Sequence, residues 1–284
     1  MTAPSRATSA GRAYLDLRAK ARGDRRPVDE LLQLYILESF LARLAESRFA
    51  DWLVLKGGVL LAAFGERRPT RDVDLQAEAL DNDAENIRAV ICEVASLRLD
   101  DGVVFDVDGA NAAVIRDEDT YNGVRVTMKA ELATARAHFH VDVNVGDPIV
   151  PAPQELHLSR LLGGEVPIRG YPLVMVHAEK IVTAIARGTV NTRWRDFADI
   201  YLLSRRHPLA GADLAGSVRQ VARPATGRSS WFLSPGSSTA TGTSDRRDGR
   251  PGGESSSWKT ASPISSRRWS RRSSPSPTLP FRGT

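Results

Sequence analysis

The sequence predicts an α+β fold, a mixed sheet flanked by helices with a helical region following it. Three observations predict it. Apolar residues recur at helical spacing in an early block, about 28–47, and a late one, about 176–205. Between these blocks lie runs that alternate apolar and polar residues as a half-buried strand does. Glycine and proline punctuate the runs at 57–58, 65 and 146–153. Helices first, then a helix among mixed strands, then helices again is the order of α+β or mixed α/β folds, and it implies a small sheet covered on one side.

Each element follows from local pattern. Residues 12–22 form a short helix. Pro27 opens a strong one, VDELLQLYILESFLARLAES. Residues 52–55 are a short buried strand, broken by Gly57-Gly58. VLLAAFG then starts a helix that stops near Gly65. Residues 71–76 alternate charged and apolar side chains, a two-faced strand, and 83–97 suit a helix. Three β-like runs follow at 102–109, 111–117 and 123–132, with Asn122-Gly123 as a turn signal before the third. A fourth, 137–147, alternates Phe139, Val141, Val143 and Val145 against His140, Asp142 and Asn144. Pro148, Pro151 and Pro153 end it. Residues 154–170 read as a loop with a short strand at 166–168. Helices are expected at 176–187, 194–205 and, weakly, 211–221. No internal repeat is present.

Charge and composition bound the function. The 284 residues carry 39 basic and 34 acidic side chains, a net +5, but the excess is local. Residues 222–284 hold 11 basic and three acidic groups, so 1–221 carry −3. A charge argument for nucleic-acid binding therefore concerns the tail and not the body. That tail is rich in Ser, Thr, Pro, Gly and Arg, lacks Val, and has no apolar periodicity, yet holds Trp231, Trp258 and Trp269. It reads as a disordered basic segment or as the product of a reading-frame shift near 222, with an RNA-binding tail ranked third. One cysteine excludes an internal disulfide framework and a cysteine zinc site. No uncharged apolar run approaches the about 18 residues of a membrane span, and the first residues lack a signal-peptide core, so a cytoplasmic protein without membrane contact is expected. The expected organisation is an N-terminal extension (1–26), a core (27–150), a helical lobe (151–221) and the low-complexity tail (222–284).

Four features converge on chemistry. Lys56-Gly57-Gly58 sits at a strand-to-helix turn, where glycines let backbone N–H groups approach an anion. In Arg71-Asp72-Val73-Asp74-Leu75, Asp72 and Asp74 are two apart on a strand and project from one face. Adjacent carboxylates repel unless a cation lies between them, and hard oxygen donors suit Mg²⁺. Asp142, on a separate strand, is a third carboxylate able to reach the same metal or act as a base. Finally, Lys180 on one helix and Asp196 and Asp199 on the next offer a cation for triphosphate charge and acidic partners for it. Each alone has a bland reading: a tight turn, an exposed strand, a solvent-facing Asp, an interhelical salt bridge. Asp106 and Asp108 also stand two apart, but Gly109 follows directly and a hairpin end is expected there. Cys92 reads as a small core residue, and His138 and His140 as cross-strand contacts.

The run LVLKGGVLLAAFGERRPTRDVDLQ, followed by His177-Ala-Glu-Lys180 and Arg195-Asp-Phe-Ala-Asp-Ile200, resembles the AbiEii/AbiGii family of nucleotidyltransferase toxins, which includes the MenT-type toxins. The order and spacing fit across about residues 30–205. The resemblance implies a minimal DNA polymerase β-like nucleotidyltransferase core, with residues 27–150 as that core. It implies metal-dependent transfer of nucleotides from an NTP to an RNA acceptor, foremost the tRNA 3′ end, which blocks translation. A cognate antitoxin is implied as partner, and no DNA specificity. By matching position, Asp72 and Asp74 are metal ligands of a two-metal Mg²⁺ site, with Asp142 a third candidate. Lys180 contacts the triphosphate and Asp196 is its acidic partner; Asp199 is expected to be structural. Lys56, Gly57, Gly58, Thr70 and Arg71 form the nucleotide-binding set. The Thr70 hydroxyl is placed to bind phosphate or to be modified. Where broader nucleotidyltransferases have Gly-Ser, this chain has Gly57-Gly58, as the family commonly does. Its usual C-terminal helical bundle is replaced by the Ser/Arg-rich tail.

Two other readings stay open: transfer to a small molecule or a protein hydroxyl, and a catalytically decayed NTP-binding protein. A basic cluster of Arg67, Arg68, Arg71, Arg187, Arg193 and Arg195 beside the carboxylates would favour RNA, and scatter would favour a small acceptor.

Overall fold

The computed structural model describes residues 3–78, 80–116, 122–146, 149–188 and 194–222. The chain divides into two units, Met1–Ser234 and Pro235–Thr284, and the second lies wholly outside the described residues.

Helix α1, Ser9–Asp24, is capped by Thr8, whose hydroxyl accepts from the Gly11 N–H. Its buried residues Ala13, Leu17 and Ala21 lie one turn apart and pack on α2. Helix α2, Val28–Glu46, has Pro27 as its N-cap residue. It is buried along an unbroken run from Leu34 to Leu44, so it is a central helix, not a surface one. Arg43 lies within it at 2% exposure. Its guanidinium donates to both carboxylate oxygens of Asp101 and to the carbonyls of Ser39, Leu97 and Val103. A buried cation is tolerable here because every donor direction is matched.

Strands β1 (Leu53–Lys56), β2 (Asp72–Ala77), β3 (Val103–Arg116), β4 (Asn122–Leu132), β5 (Ala135–Val145), β6 (Gln154–Ser159) and β7 (Glu165–Gly170) form one mixed sheet in the order β3-β4-β5-β2-β1-β7-β6. β2 lies in its interior, antiparallel to β1 and parallel to β5. One face is apolar. Phe139, Val141 and Val143 of β5 align with Val73 and Leu75 of β2, and Phe40 of α2 meets Phe139 and Phe105 at ring-centroid distances of 5.8 and 6.2 Å. Helices α2 and α4 (Ala84–Ser96) cover that face. The opposite face carries Lys56, Asp72, Asp74, His140, Asp142 and Arg125. After the sheet come α5 (Leu173–Arg187), α6 (Trp194–Arg206) and α7 (Gly211–Val221), with α6 and α7 packed against α5.

The α+β class is as expected, and four local expectations are corrected. Residues 102–109 and 111–117 are not two runs: β3 is continuous and takes a bulge between Asp106 and Asn111. Asp106 accepts the Gly109 N–H within that bulge, so the turn chemistry is present but no hairpin ends there. The expected loop at 154–170 is a hairpin, β6–β7, whose Leu156 and Leu158 face Ile168 and Val166. Asn122-Gly123 begins β4 instead of forming a turn, and residues 117–121 before it lie outside the described set. The helix after Gly58 is one α turn, α3 (Gly57–Leu60), that tightens into a 3₁₀ turn at Leu61–Phe64 and ends on Gly65 at φ +77°. The tail from 223 onward is outside the described residues, as is Arg193.

Candidate active site

The site is built on β2. A strand alternates its side chains, so Val73 and Leu75 enter the core while Asp72 and Asp74 share the opposite face. Sheet pairing then supplies neighbours that no local pattern contains. Parallel β5 sets His140 beside Asp72 and Asp142 beside Asp74, and antiparallel β1 sets Lys56 beside Asp74.

Asp74 is held in a tight cradle. Gly57 has φ +68°, and a Cβ there would stand 1.8 Å from Asp74 Oδ2. Glycine is thus required twice, for backbone conformation and for space. The Gly58 N–H hydrogen-bonds the same carboxyl. Burial, followed by the Asp72 charge, pushes the Asp74 pKa up to about 7; Lys56 and the Gly58 N–H pull the other way. A carboxyl in that condition holds its proton more readily than a free one, and a cation beside Asp72 and Asp74 would offset the repulsion between them.

Thr70 is buried, and its hydroxyl donates to Asp72 Oδ1 at 2.5 Å. A Cβ on Gly58 would stand 3.0 Å from that hydroxyl and 3.3 Å from the Arg68 guanidinium. The space a serine side chain would need at 58 is therefore already filled by Thr70 and Arg68. Asp142 is gripped by Arg125 in a two-pronged pair, Nε to Oδ1 at 2.7 Å and Nη2 to Oδ2 at 2.6 Å. That pairing raises the Arg125 pKa. Arg125 escaped sequence reasoning because only the β4–β5 register places it opposite Asp142. Asp72, His140 and Asp142 each offer an atom within 4.8 Å of the other two, a grouping able to hold a metal ion. The expected cross-strand role of His140 thus becomes a place in the constellation.

The second half of the site comes from α5 and α6. Lys180 Nζ donates to Asp196 Oδ1 and Asp199 Oδ2, both at 2.8 Å. Asp199, 4% exposed, also accepts from Arg68 Nε at 3.2 Å, so it ties α6 to the segment leading into β2. Lys56 Nζ lies 3.8 Å from Glu179 of α5 and over the Tyr171 ring. Among the six arginines of the expected basic cluster, Arg67 pairs with buried Glu38 and donates to the Ser159 carbonyl, and Arg68 pairs with Asp199. Arg71 and Arg195 are exposed, and Arg193 lies outside the described residues.

The AbiEii nucleotidyl transferase toxin family of type IV toxin–antitoxin systems matches residues 39–250. The chain belongs to that family. As an AbiEii toxin it is a nucleotidyltransferase, and membership implies an NTP substrate, a divalent metal and an antitoxin. Among solved structures, the toxin is similar to JHP933 from Helicobacter pylori (14% identity, TM-score 0.47, 68% of this chain and 74% of that one). It is also similar to a nucleotidyltransferase-like antigenic protein from Paracoccidioides brasiliensis (15%, 0.39, 68% and 88%) and to the antibiotic-resistance factor ANT(2″)-Ia (17%, 0.39, 67% and 91%). No curated protein matches the AbiEii chain. No helix among its described residues is long and apolar enough to cross a membrane.

Proposed function

We propose that this AbiEii toxin transfers a nucleotide from an NTP to the 3′ end of an RNA, tRNA foremost, and thereby blocks translation. The observation that carries the acceptor class is a row of exposed aromatics on α6. Trp194, Phe197 and Tyr201 are 76%, 44% and 64% exposed and recur at helical spacing, with the Trp194 and Phe197 rings 6.1 Å apart. Exposed rings of this kind stack on unpaired bases, as a single-stranded 3′ end offers. Arg195 and Arg205 on the same helix are exposed and suit the phosphates between those bases. The helix that carries the row also holds Lys180 through Asp196 and Asp199, so acceptor and triphosphate would meet along one element.

In this reading Lys180 and Lys56 bind triphosphate oxygens, and the remaining N–H groups of the Gly57-Gly58 turn support them. Asp72 and Asp74, with Asp142 beside them, hold a divalent metal, for which their oxygen donors suit Mg²⁺. The chemistry a bound metal supplies is neutralisation of triphosphate charge and a more acidic acceptor hydroxyl. Thr70 orients the Asp72 carboxylate by hydrogen bonding, and Arg125 orients Asp142. The protein's own work is positioning and charge stabilisation, the main terms in phosphoryl chemistry. Cytoplasmic action follows from an RNA target.

A small-molecule acceptor is the second reading. Arg67 and Arg68 are turned inward into ion pairs, which subtracts two cations from an RNA-facing surface. One experiment separates the two. The purified chain is incubated with Mg²⁺, each labelled NTP in turn and total tRNA, alongside Asp72→Ala. Label at RNA 3′ ends only with intact Asp72 is the expected result. Pyrophosphate release that requires an added small-molecule extract and leaves RNA unlabelled would transfer the proposal to a small acceptor, and no release with either RNA or the extract would favour a binding-only protein.

A further inference from the structure

We infer that His140 is a nitrogen ligand of the metal site, so that this site binds Mn²⁺ more tightly than Mg²⁺. The inference rests on the reading that Asp72 holds a divalent metal, and it adds a donor that reading does not contain.

Three observations carry it. The first is place. β5 runs parallel to β2 in a register that sets His140 directly opposite Asp72, and His140 is two residues from Asp142, on the same face. A ring nitrogen of His140 and one oxygen each of Asp72 and Asp142 fall within 4.8 Å of one another. Ligands about 2.1 Å from a shared ion stand about 3–4 Å apart, so small side-chain rotations close the set. The second is availability. Asp142 has both oxygens engaged by Arg125, and Asp72 accepts from Thr70. Among the described residues no hydrogen bond or ion pair engages the His140 ring, which stands half-buried on the open face of the sheet. It is the donor of the three with nothing to give up on binding. The third is the place of Asp74. Its carboxyl sits against Gly57 and the Gly58 N–H, on the β1 side of the pair, so an ion shared with Asp72 has its β5 side left for other donors. His140 lies across from Asp72 instead, where a third donor completes one side of a coordination sphere.

The donor set decides the preference. Mg²⁺ takes oxygen ligands and water and gains little from imidazole, whereas first-row transition ions accept imidazole readily. A carboxylate–carboxylate–imidazole set therefore favours Mn²⁺, and Mn²⁺ is also a direct spectroscopic probe.

The test uses the full chain without a histidine tag, loaded with substoichiometric Mn²⁺ and read by pulsed electron paramagnetic resonance. The wild type should show ¹⁴N modulation from a coordinated imidazole, and His140→Ala and His140→Gln should both lose it. Titration should show Mn²⁺ affinity falling at least about 10-fold in both variants, the loss typical even of groups one step removed from a metal. Mg²⁺ affinity should change much less. Circular dichroism of the two variants checks the fold, and Asp72→Asn reports on the site as a whole. Asp72-dependent Mn²⁺ binding without ¹⁴N modulation, or with unchanged affinity in both His140 variants, would overturn the inference and leave the carboxylate site intact. Absence of any Asp72-dependent Mn²⁺ binding would overturn the metal-site reading itself, and the inference with it.

Discussion

At the scale of single residues, the site depends on two carboxyls in different conditions. Asp72 is oriented by the Thr70 hydroxyl, and Asp72→Ala should lower the rate of nucleotide transfer by about 10³-fold with the melting temperature nearly unchanged, as for loss of other preorganised catalytic groups. Asp74 differs because the fold raises its pKa from 3.8 to about 7. A raised carboxyl pKa means the folded state binds the proton more tightly than the unfolded chain does. In metal-free protein its contribution to stability is therefore present below about pH 4 and lost as pH rises through about 7. Thermal unfolding followed across that window should show a steeper loss for the wild type than for Asp74→Asn; parallel slopes would refute this. Gly57 makes the cradle possible. Gly57→Ala forces a Cβ into Asp74 and into a left-handed backbone, and should cost about 1–2 kcal/mol from conformation alone. Activity should fall with it, and chemical denaturation beside a transfer assay reads both.

At the scale of elements, α2 and α6 are seated by opposite means. α2 is buried over most of its surface, and the Arg43–Asp101 pair locks it to the connection between α4 and β3. Arg43→Met would fill the space but leave Asp101 charged and buried, so a loss of about 3–5 kcal/mol is expected by urea denaturation. Double replacement, Arg43→Met with Asp101→Leu, should recover part of it. By contrast, α6 buries only Asp199 and Leu203, and its seat is largely polar. Asp199→Asn should weaken its contact with Lys180 and Arg68, cost about 1–3 kcal/mol, and raise the KM for NTP more than it lowers kcat. The elements differ also in how far the sequence discloses them. β2 and β5 are legible because their alternation is clean, and α5 and α6 because their spacing is helical. β6 offers only Leu156 and Leu158 as apolar signal, too little for a strand until Val166 and Ile168 are seen across from them. The bulge in β3 hides its continuity, since Asp108 and Gly109 read as a turn.

At the scale of the whole molecule, the sheet is what makes a site from scattered residues. Asp72 and Asp74 are visible as a pair because two-residue spacing is a local property. That Asp142 stands beside Asp74, that Arg125 grips it, and that His140 faces Asp72 are properties of register, which no window of sequence contains. His140 reads from the sequence as a cross-strand contact, and which carboxylate it meets is set by the β2–β5 register. The aromatic row on α6 was likewise hidden inside an amphipathic pattern that reads equally well as a buried face. β2 occupies the interior of the sheet, and that position has a consequence for the order in which the site can assemble. Its parallel neighbour β5 is not synthesised until residues 135–145 have been joined, and Lys180 and its partners come later still. A nascent chain that already displays Asp72 and Asp74 has β1 and Lys56 beside them but lacks β5 and Lys180. The full candidate constellation is therefore absent until α5 and α6 have both been made.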